Sequence, residues 1–365
     1  MPTIKTALGD RSYRIIVGSS LGTKVEQELV RMRGEGRLWT VYDAQLYALH
    51  GPALKRQIPA LKVGRRELVI PSGERSKSLR MLERLHGYFF SQKISRADTI
   101  VAIGGGALTD LVGFAAATTL RGINWVTIPT TLLGMVDAAI GGKTGINHKL
   151  GKNLIGAIWQ PSLVACDIDL LNTLSQRHLL CGMGEIIKYA GLTGPALISD
   201  CHRYLATGLL PGSSKLISLV SESARFKSAV VAEDERESSL RMILNLGHTF
   251  GHGIERALNY NRLAHGEAVL IGLLAAVNLS VRTGLARERE LADYEELICV
   301  ALSLLPRVKI YAKEAIAGMA LDKKRSSHSL KFVLLKKPGQ PIIIDKVATR
   351  LYSAAMRHAL NVYHG

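Results

Sequence analysis

Short runs rich in β-branched and aromatic residues alternate with amphipathic stretches through the first half of this chain, and that alternation leaves few architectures open. Tyr13–Val17, Leu38–Tyr42, Glu67–Ile70, Thr99–Ile103 and Trp125–Ile128 read as strands, with Ser78–Ser91 and Leu108–Thr119 as helices between them. Strands joined by helical crossovers pair in parallel and bury both faces, so the pattern predicts an α/β, Rossmann-like domain. Sheets of that kind bind ligands beyond the carboxyl ends of their strands. From about Leu174 the apolar period becomes helical, over Leu179–Leu192, Leu216–Glu233, Leu240–Leu258, Gly266–Thr283 and Arg287–Leu304. Leu330–Leu335 and Pro341–Ile344 flank a Lys-Lys-Pro-Gly turn and read as a small hairpin. The reading is two domains, α/β over 1–173 and mainly α-helical over 174–365, with the chemistry in a cleft between them.

A chain of 365 residues is long enough for two ordinary cores. With 47% apolar and 21% charged residues it is not a disordered protein. No apolar run reaches the length of a membrane span, and the opening residues lack the pattern of a secretory leader, so a cytoplasmic protein without a membrane partner is expected. The four cysteines, Cys166, Cys181, Cys201 and Cys299, form no CxxC pair and fit reduced, mostly buried thiols. The formal charge of +17 is spread along the chain rather than gathered in one stripe. It predicts attraction for acidic small molecules and no nucleic-acid partner.

The strand at Thr99–Ile103 runs into Gly104-Gly105-Gly106 and then a helical stretch. Such a turn lets a pyrophosphate approach the backbone, although the spacing is not GxGxxG. Gly141-Gly142-Lys143-Thr144 imitates the end of a P-loop, but Asp137 stands where the first P-loop glycine belongs, which excludes a nucleoside triphosphatase. The whole stretch from Pro129 to Pro161 is dense in glycine and polar groups and reads as a long functional loop.

The strongest chemical signal is a polar stripe inside an apolar helical pattern. Arg241, Asn245, His248 and His252 are spaced by four, three and four residues, with Glu237 one turn earlier, which places them on one face of a continuous helix. His248 and His252 have the i, i+4 spacing of a metal pair. His265 and Glu267 open another helical stretch, and Glu185 and Lys188 share a helical face. Spacing alone leaves open which of these groups bind a metal, with His248 and His252 as the nearest-neighbour choice.

Taken in order, PSGERSKS at 71–78, GGGALTDLVGF at 104–114, PTTLLGMVDAAIGGKTGIN at 129–147, LGKNLIGAIWQP at 150–161, GEIIKYA at 184–190, LRMILNLGHTFGH at 240–252, HGEAV at 265–269 and DKK at 322–324 resemble the 3-dehydroquinate synthase family, within the sugar-phosphate cyclases, over most of the chain. The resemblance implies an NAD-binding first domain, a metal- and substrate-binding second domain, and a divalent ion, zinc or cobalt, on Glu185, His248 and His265. That replaces the i, i+4 choice and moves His252 to the substrate side. For NAD it implies Asp43, Ser72, Gly73, Glu74, Arg75, Ser76, Lys77, Gly106, Ala107, Leu108, Thr109, Asp110, Thr130, Thr131, Lys143, Lys152, Leu170, Leu171, Asn172 and Thr173. For substrate it implies Arg121, Asp137, Lys143, Lys152, Asn153, Lys188, Lys227, Arg241, Asn245, His252, Lys323 and Lys324. Of these, Lys143, Lys152, Lys188, Arg241, Asn245 and His252 are the expected catalytic set. Arg121 resembles a position that reaches the neighbouring subunit's substrate phosphate, which implies a homodimer. Thr109 and Ser239 depart from the residues many relatives carry there, and neither position bears a reacting group.

The implied activity converts 3-deoxy-D-arabino-heptulosonate 7-phosphate to 3-dehydroquinate and phosphate, a step of the shikimate pathway to aromatic amino acids. Another sugar-phosphate cyclase would share the metal set but not the carboxylate- and phosphate-binding set of Lys152, Lys227, Arg241 and the Lys323–Lys324 pair. A metal-dependent alcohol or glycerol dehydrogenase would accumulate NADH, whereas a cyclase returns its hydride.

Overall fold

The computed structural model describes residues 2–325 and 330–365, with side chains left undescribed over 320–329. In chain order the first elements are β1 (Thr3–Thr6), β2 (Tyr13–Gly18), α1 (Gly22–Arg33), β3 (Leu38–Asp43), α2 (Ala44–Gln57), β4 (Glu67–Ile70), α3 (Leu79–Ser91), β5 (Thr99–Gly104), α4 (Gly106–Thr118), β6 (Asn124–Pro129), β7 (Lys143–His148), β8 (Gly151–Ile158) and β9 (Leu163–Asp167). They are followed by α5 (Gln176–Thr193), α6 (Pro195–Leu205), α7 (Ser214–Glu233), α8 (His248–Ala257), α9 (His265–Arg282), α10 (Glu288–Ser303), α11 (Ala312–Arg325), β10 (Phe332–Leu335), β11 (Pro341–Ile344) and α12 (Thr349–His364).

The chain forms two compact units, Met1–Leu174 with Pro211–Arg236, and Ser175–Leu210 with Glu237–Gly365. The chain leaves the first unit after Leu174 and returns to it over Pro211–Arg236, so α7 belongs to the first unit. There Thr6 Oγ1 donates to Ser228 Oγ of α7 at 3.0 Å, and Lys227 of α7 reaches Asp137 at 2.6 Å. A helical period identifies a helix; it carries no information on which core the helix joins.

The first unit is built on a seven-stranded sheet of order β1-β2-β9-β6-β5-β3-β4. All neighbours pair in parallel except β1, which runs antiparallel at one edge. Alternate residues feed opposite faces: Val101 and Ile103 of β5 pack beneath α1 and α2, while Ile100 and Ala102 pack with Leu85, Phe89 and Val112 of α3 and α4. The five strands read from the sequence all form. The stretch from Pro129 to Pro161 is not a loop, however. It holds a π-helical turn at Gly134–Ala138 and the antiparallel pair β7–β8. Glycine at 145 and 156 lets the two backbones touch, since a Cβ at Gly156 would stand 2.2 Å from the Thr144 carbonyl oxygen.

The second unit is helical, with β10 and β11 as the expected hairpin. The helix predicted over Leu240–Leu258 is broken. Leu240–Asn245 is a 3₁₀ segment, Gly247 takes φ +78°, and α8 starts at His248. At Gly247 a Cβ would lie 2.9 Å from the Leu273 backbone nitrogen, so close contact with α9 and a left-handed turn both require glycine. The single polar face expected from Arg241 to His252 is therefore two faces meeting at a bend. Among the described residues, no helix is long and apolar enough to cross a membrane.

Candidate metal centre and cofactor cradle

In the second unit three elements bring one carboxylate and two imidazoles together. Glu185 sits mid-way along α5, inside an unbroken buried run from Leu179 to Leu192, and is fully buried. His248 and His265 are the first residues of α8 and α9. Ligand atoms of Glu185, His248 and His265 all lie within 4.8 Å of one another, and each imidazole Nε2 is 3.5 Å from Glu185 Oε1. An isolated buried carboxylate is costly, so Glu185 needs partners, and the two imidazoles and a lysine supply them. Lys188, one turn on from Glu185 and equally buried, donates to Glu185 Oε2.

The backbone nearby holds the geometry. Glu267 is fully buried and accepts from the Ala264 amide at 2.6 Å and from Arg177 Nε and Nη2 at 2.7 and 2.9 Å. Arg177 Nη2 also donates to the Arg262 carbonyl at 2.8 Å, so α5 is pinned to the turn that delivers His265. His248 Nδ1 lies 3.2 Å from the Leu246 carbonyl oxygen. A carbonyl only accepts, so that contact assigns the proton to Nδ1 and leaves a lone pair on Nε2.

Electrostatics separate the two imidazoles. Burial pushes His248 down to about 3, with Lys188, His265 and His252 acting in the same direction against Glu185. For His265 burial opposes the charge, but hydrogen bonds to Glu185 and Glu255 outweigh it and raise the pKa to about 10. A divalent ion on these three residues would replace that proton, as metal binding to imidazole does generally. The donor set, one carboxylate and two imidazole nitrogens, suits zinc or cobalt and leaves coordination open.

The expected substrate-side groups of this unit are placed as follows. Arg241 is almost wholly buried on the 3₁₀ segment. Asn245 donates to Glu237 Oε1 at 2.9 Å. The His252 ring centroid is 5.6 Å from that of His248 and 6.2 Å from that of His265. Lys323 and Lys324 fall on α11, and their side chains lie outside the described residues. Gly184, Gly266 and Glu255 were not singled out from the sequence, although the first two stand beside metal candidates in the GE and HGE motifs.

In the first unit most of the expected NAD residues follow the carboxyl ends of β3, β4, β5, β6 and β9, while Lys143 and Lys152 lie on β7 and β8. Asp43 ends β3 and accepts from the Leu46 amide at 3.1 Å and from Ser72 Oγ at 2.6 Å, which ties β3 to the turn after β4. Gly73 follows at φ +91°, Glu74 and Arg75 are exposed, and Ser76 Oγ donates to the Pro71 carbonyl at 2.5 Å. Helix α4 begins at Gly106 without a side-chain cap, so its first amides are available to an anion. A Cβ at Gly105 would stand 3.1 Å from Thr131 Cγ2, which brings the Thr130–Thr131 corner against the glycine turn. Leu108 is core, and Thr109 turns its hydroxyl back to the Gly106 carbonyl at 3.0 Å. Ala107 is half-buried in the same first turn.

Lys77 is buried and joins three segments. Its Nζ lies 2.6 Å from Asp110 Oδ2 and 2.5 Å from Asn153 Oδ1. Burial lifts the Asp110 carboxyl to about 6 against the pull of Lys77. Asn153 takes φ +55°, and its amide donates to Asn147 Oδ1 at 3.0 Å. Lys143 is exposed on β7 and Lys152 half-buried on β8. On the far side of the sheet, Leu170 and Leu171 are buried in the 3₁₀ segment Ile168–Thr173, and Thr173 Oγ1 meets His50 Nε2 at 2.7 Å. Asn172 Oδ1 would stand 3.1 Å from a Cβ at Gly212. Arg121 is the exception. It is exposed at φ +66° just before β6, at the opposite end of the strands from Asp43 and Thr130.

Two adjoining family models match residues 67–325: 3-dehydroquinate synthase N-terminal over residues 67–181, and 3-dehydroquinate synthase C-terminal over 182–325. The 3-dehydroquinate synthase of Rhodospirillum rubrum is 38% identical over 98% of this chain and 94% of its own length. That of Paracoccus denitrificans is 40% identical over 94% and 95%. Among solved structures, the 2-epi-5-epi-valiolone synthase of Streptomyces hygroscopicus, with NAD+ and Zn2+ bound, has a TM-score of 0.86 at 27% identity, covering 97% of this chain and 98% of that one.

Proposed function

We propose, from the premise that this chain belongs to the 3-dehydroquinate synthase family, that it converts 3-deoxy-D-arabino-heptulosonate 7-phosphate to 3-dehydroquinate and phosphate, with NAD and one divalent metal, zinc or cobalt. The observation that carries this reading is the meeting of Glu185, His248 and His265 from α5, α8 and α9 within one ligand sphere.

Glu185, His248 and His265 would hold the metal, which supplies Lewis-acid activation of a substrate hydroxyl. The glycine turn at 104–106 with Asp43, Thr130 and Thr131 would hold NAD, which accepts a hydride and returns it within one turnover. The neutral state of His248 keeps its Nε2 lone pair available. Oxidation of a ring hydroxyl acidifies the neighbouring C–H and permits loss of phosphate; re-reduction and aldol closure follow. In the second unit, Arg241 and His252 present donors to the substrate phosphate, and Asn245 and Lys188 orient hydroxyl and carboxylate oxygens. Lys188 is paired to Glu185, so it would sit beside the metal as well as the substrate. In the first unit, Lys152 and Asn153 offer phosphate donors, while Lys143 and the Asp137–Lys227 pair bind hydroxyl and carboxylate groups. Lys323 and Lys324 belong to the same anion-binding proposal.

Arg121 supports a homodimer: it stands at the end of the sheet remote from the cofactor residues of its own chain and is free to serve a second copy. A cytoplasmic location fits an enzyme that shares its compartment with NAD and a phosphorylated keto acid. The test is to supply the heptulosonate phosphate with catalytic NAD and follow inorganic phosphate, carbocycle and NADH. Phosphate and carbocycle in equal amounts, without accumulated NADH, support the reading. Stoichiometric NADH would indicate a dehydrogenase, and inactivity with this substrate but turnover of another sugar phosphate would indicate a different cyclase.

A further inference from the structure

His265 has two ring nitrogens and both are engaged by carboxylates. Its Nε2 faces Glu185 at 3.5 Å, and its Nδ1 lies 3.5 Å from Glu255 Oε1. Glu255 is 5% exposed. It lies on α8 seven residues after His248 and three after His252, so the three side chains share one helical face. That face packs on α9, where a Cβ at Gly251 would stand 3.3 Å from the Ala268 carbonyl oxygen. The same helix therefore delivers one metal candidate, His248, and a carboxylate aimed at the rear nitrogen of the other.

We infer that Glu255 is the positioning residue of the metal centre: it accepts a hydrogen bond from His265 Nδ1–H and so fixes the ring with Nε2 directed at the metal. The inference rests on the metal reading proposed above. His252, Glu255 and His265 also lie within 4.8 Å of one another and could be taken for a second ion site. Chemistry argues against that. An ion on Nδ1 with another on Nε2 would need His265 to lose both ring protons, whereas a carboxylate behind a ligating imidazole needs only the ordinary neutral tautomer. The acceptor also raises the basicity of the ring, which strengthens its bond to a metal.

The test is Co2+ titration of the metal-stripped full chain, read by the visible absorption of the bound ion and by equilibrium affinity, with folding checked by circular dichroism. The wild type is expected to bind one equivalent. E255Q, which keeps the shape but replaces the charged acceptor, is expected to bind Co2+ about 10- to 100-fold more weakly and with an altered spectrum. E255D, which keeps the charge but withdraws it by one methylene, should fall between the two, and it answers the question alone should E255Q fail to fold. Folded E255Q or E255D with wild-type affinity and spectrum overturns the role of Glu255, even if either is less stable, because a merely structural carboxylate moves stability alone. Two equivalents in the wild type, with one lost in E255Q, would also overturn it in favour of a second ion. No Co2+ binding by the wild type would instead remove the metal reading itself.

Discussion

Gly184 lies against Gly266 so closely that a Cβ on Gly184 would stand 2.3 Å from the Gly266 carbonyl oxygen. The reverse contact is tighter: a Cβ on Gly266 would be 1.8 Å from the Cys181 carbonyl oxygen. The next residue after Gly184 is Glu185 and the one before Gly266 is His265, so backbone contact between α5 and the start of α9 sets the distance between two metal candidates. Gly266→Ala is expected to lower stability by about 1–3 kcal/mol or more through overpacking against main chain that cannot rotate away. Thermal unfolding together with Co2+ affinity checks this, and both should fall. Unchanged metal affinity would show that the contact does not set the site.

Asp98 immediately precedes β5, at the end of the strand remote from the glycine turn. It receives the Arg37 amide and guanidinium at 2.8 Å, the Ser95 amide at 2.9 Å and the Trp39 indole N–H at 3.0 Å. Burial works against its charge, yet these donors, Arg37 first, hold its pKa at about 2 against an ordinary 3.8. A depressed carboxyl stabilises the fold above its unfolded value and loses that contribution as pH falls from 3.8 through about 2. Asp98→Asn should therefore cost about 2 kcal/mol at neutral pH and little at the acid end, measured by urea unfolding at several pH values. An equal cost at every pH would contradict the ionic account.

Arg241 is a buried cation in a site proposed to bind phosphate. Arg241→Ala is expected to reduce kcat/KM by about 2–4 kcal/mol of transition-state binding, the scale of one preorganised charged donor. Steady-state kinetics with folding verified decides it, and an unchanged kcat/KM would take Arg241 out of the site.

The homodimer reading predicts complementation between two inactive chains. Arg121→Ala and Glu185→Gln homodimers should each be inactive. Refolded together in equal amounts, half the dimers are mixed and each carries one complete site, giving about a quarter of wild-type activity. No recovery in the mixture would show that Arg121 does not act across subunits.

Much of this architecture is legible in the sequence because strand and helix periods are local. The five strands from Tyr13 to Ile128 and the helix around Glu185 needed only alternation and spacing. Four features were not legible in that way. The Gly247 bend interrupts an unbroken apolar period, because the cause is the backbone of Leu273, which lies elsewhere in sequence. The β7–β8 pair hides in a glycine-rich stretch because its strands gain from main-chain contact rather than from apolar alternation. Glu185 joins His248 and His265 only through helix packing, so spacing favoured His252 and the resemblance supplied Glu185 and His265. Glu255 was missed although i, i+3 from His252 was a signal, since a glutamate on a helix face is ordinary without its neighbours.

The most direct test is an anomalous difference map from crystals of the full chain grown with Co2+ and collected at the cobalt edge. The account predicts one peak per chain within bonding distance of a Glu185 oxygen and of Nε2 of both His248 and His265. A peak bound by His252 and Glu255 instead, or no peak near Glu185, would contradict it.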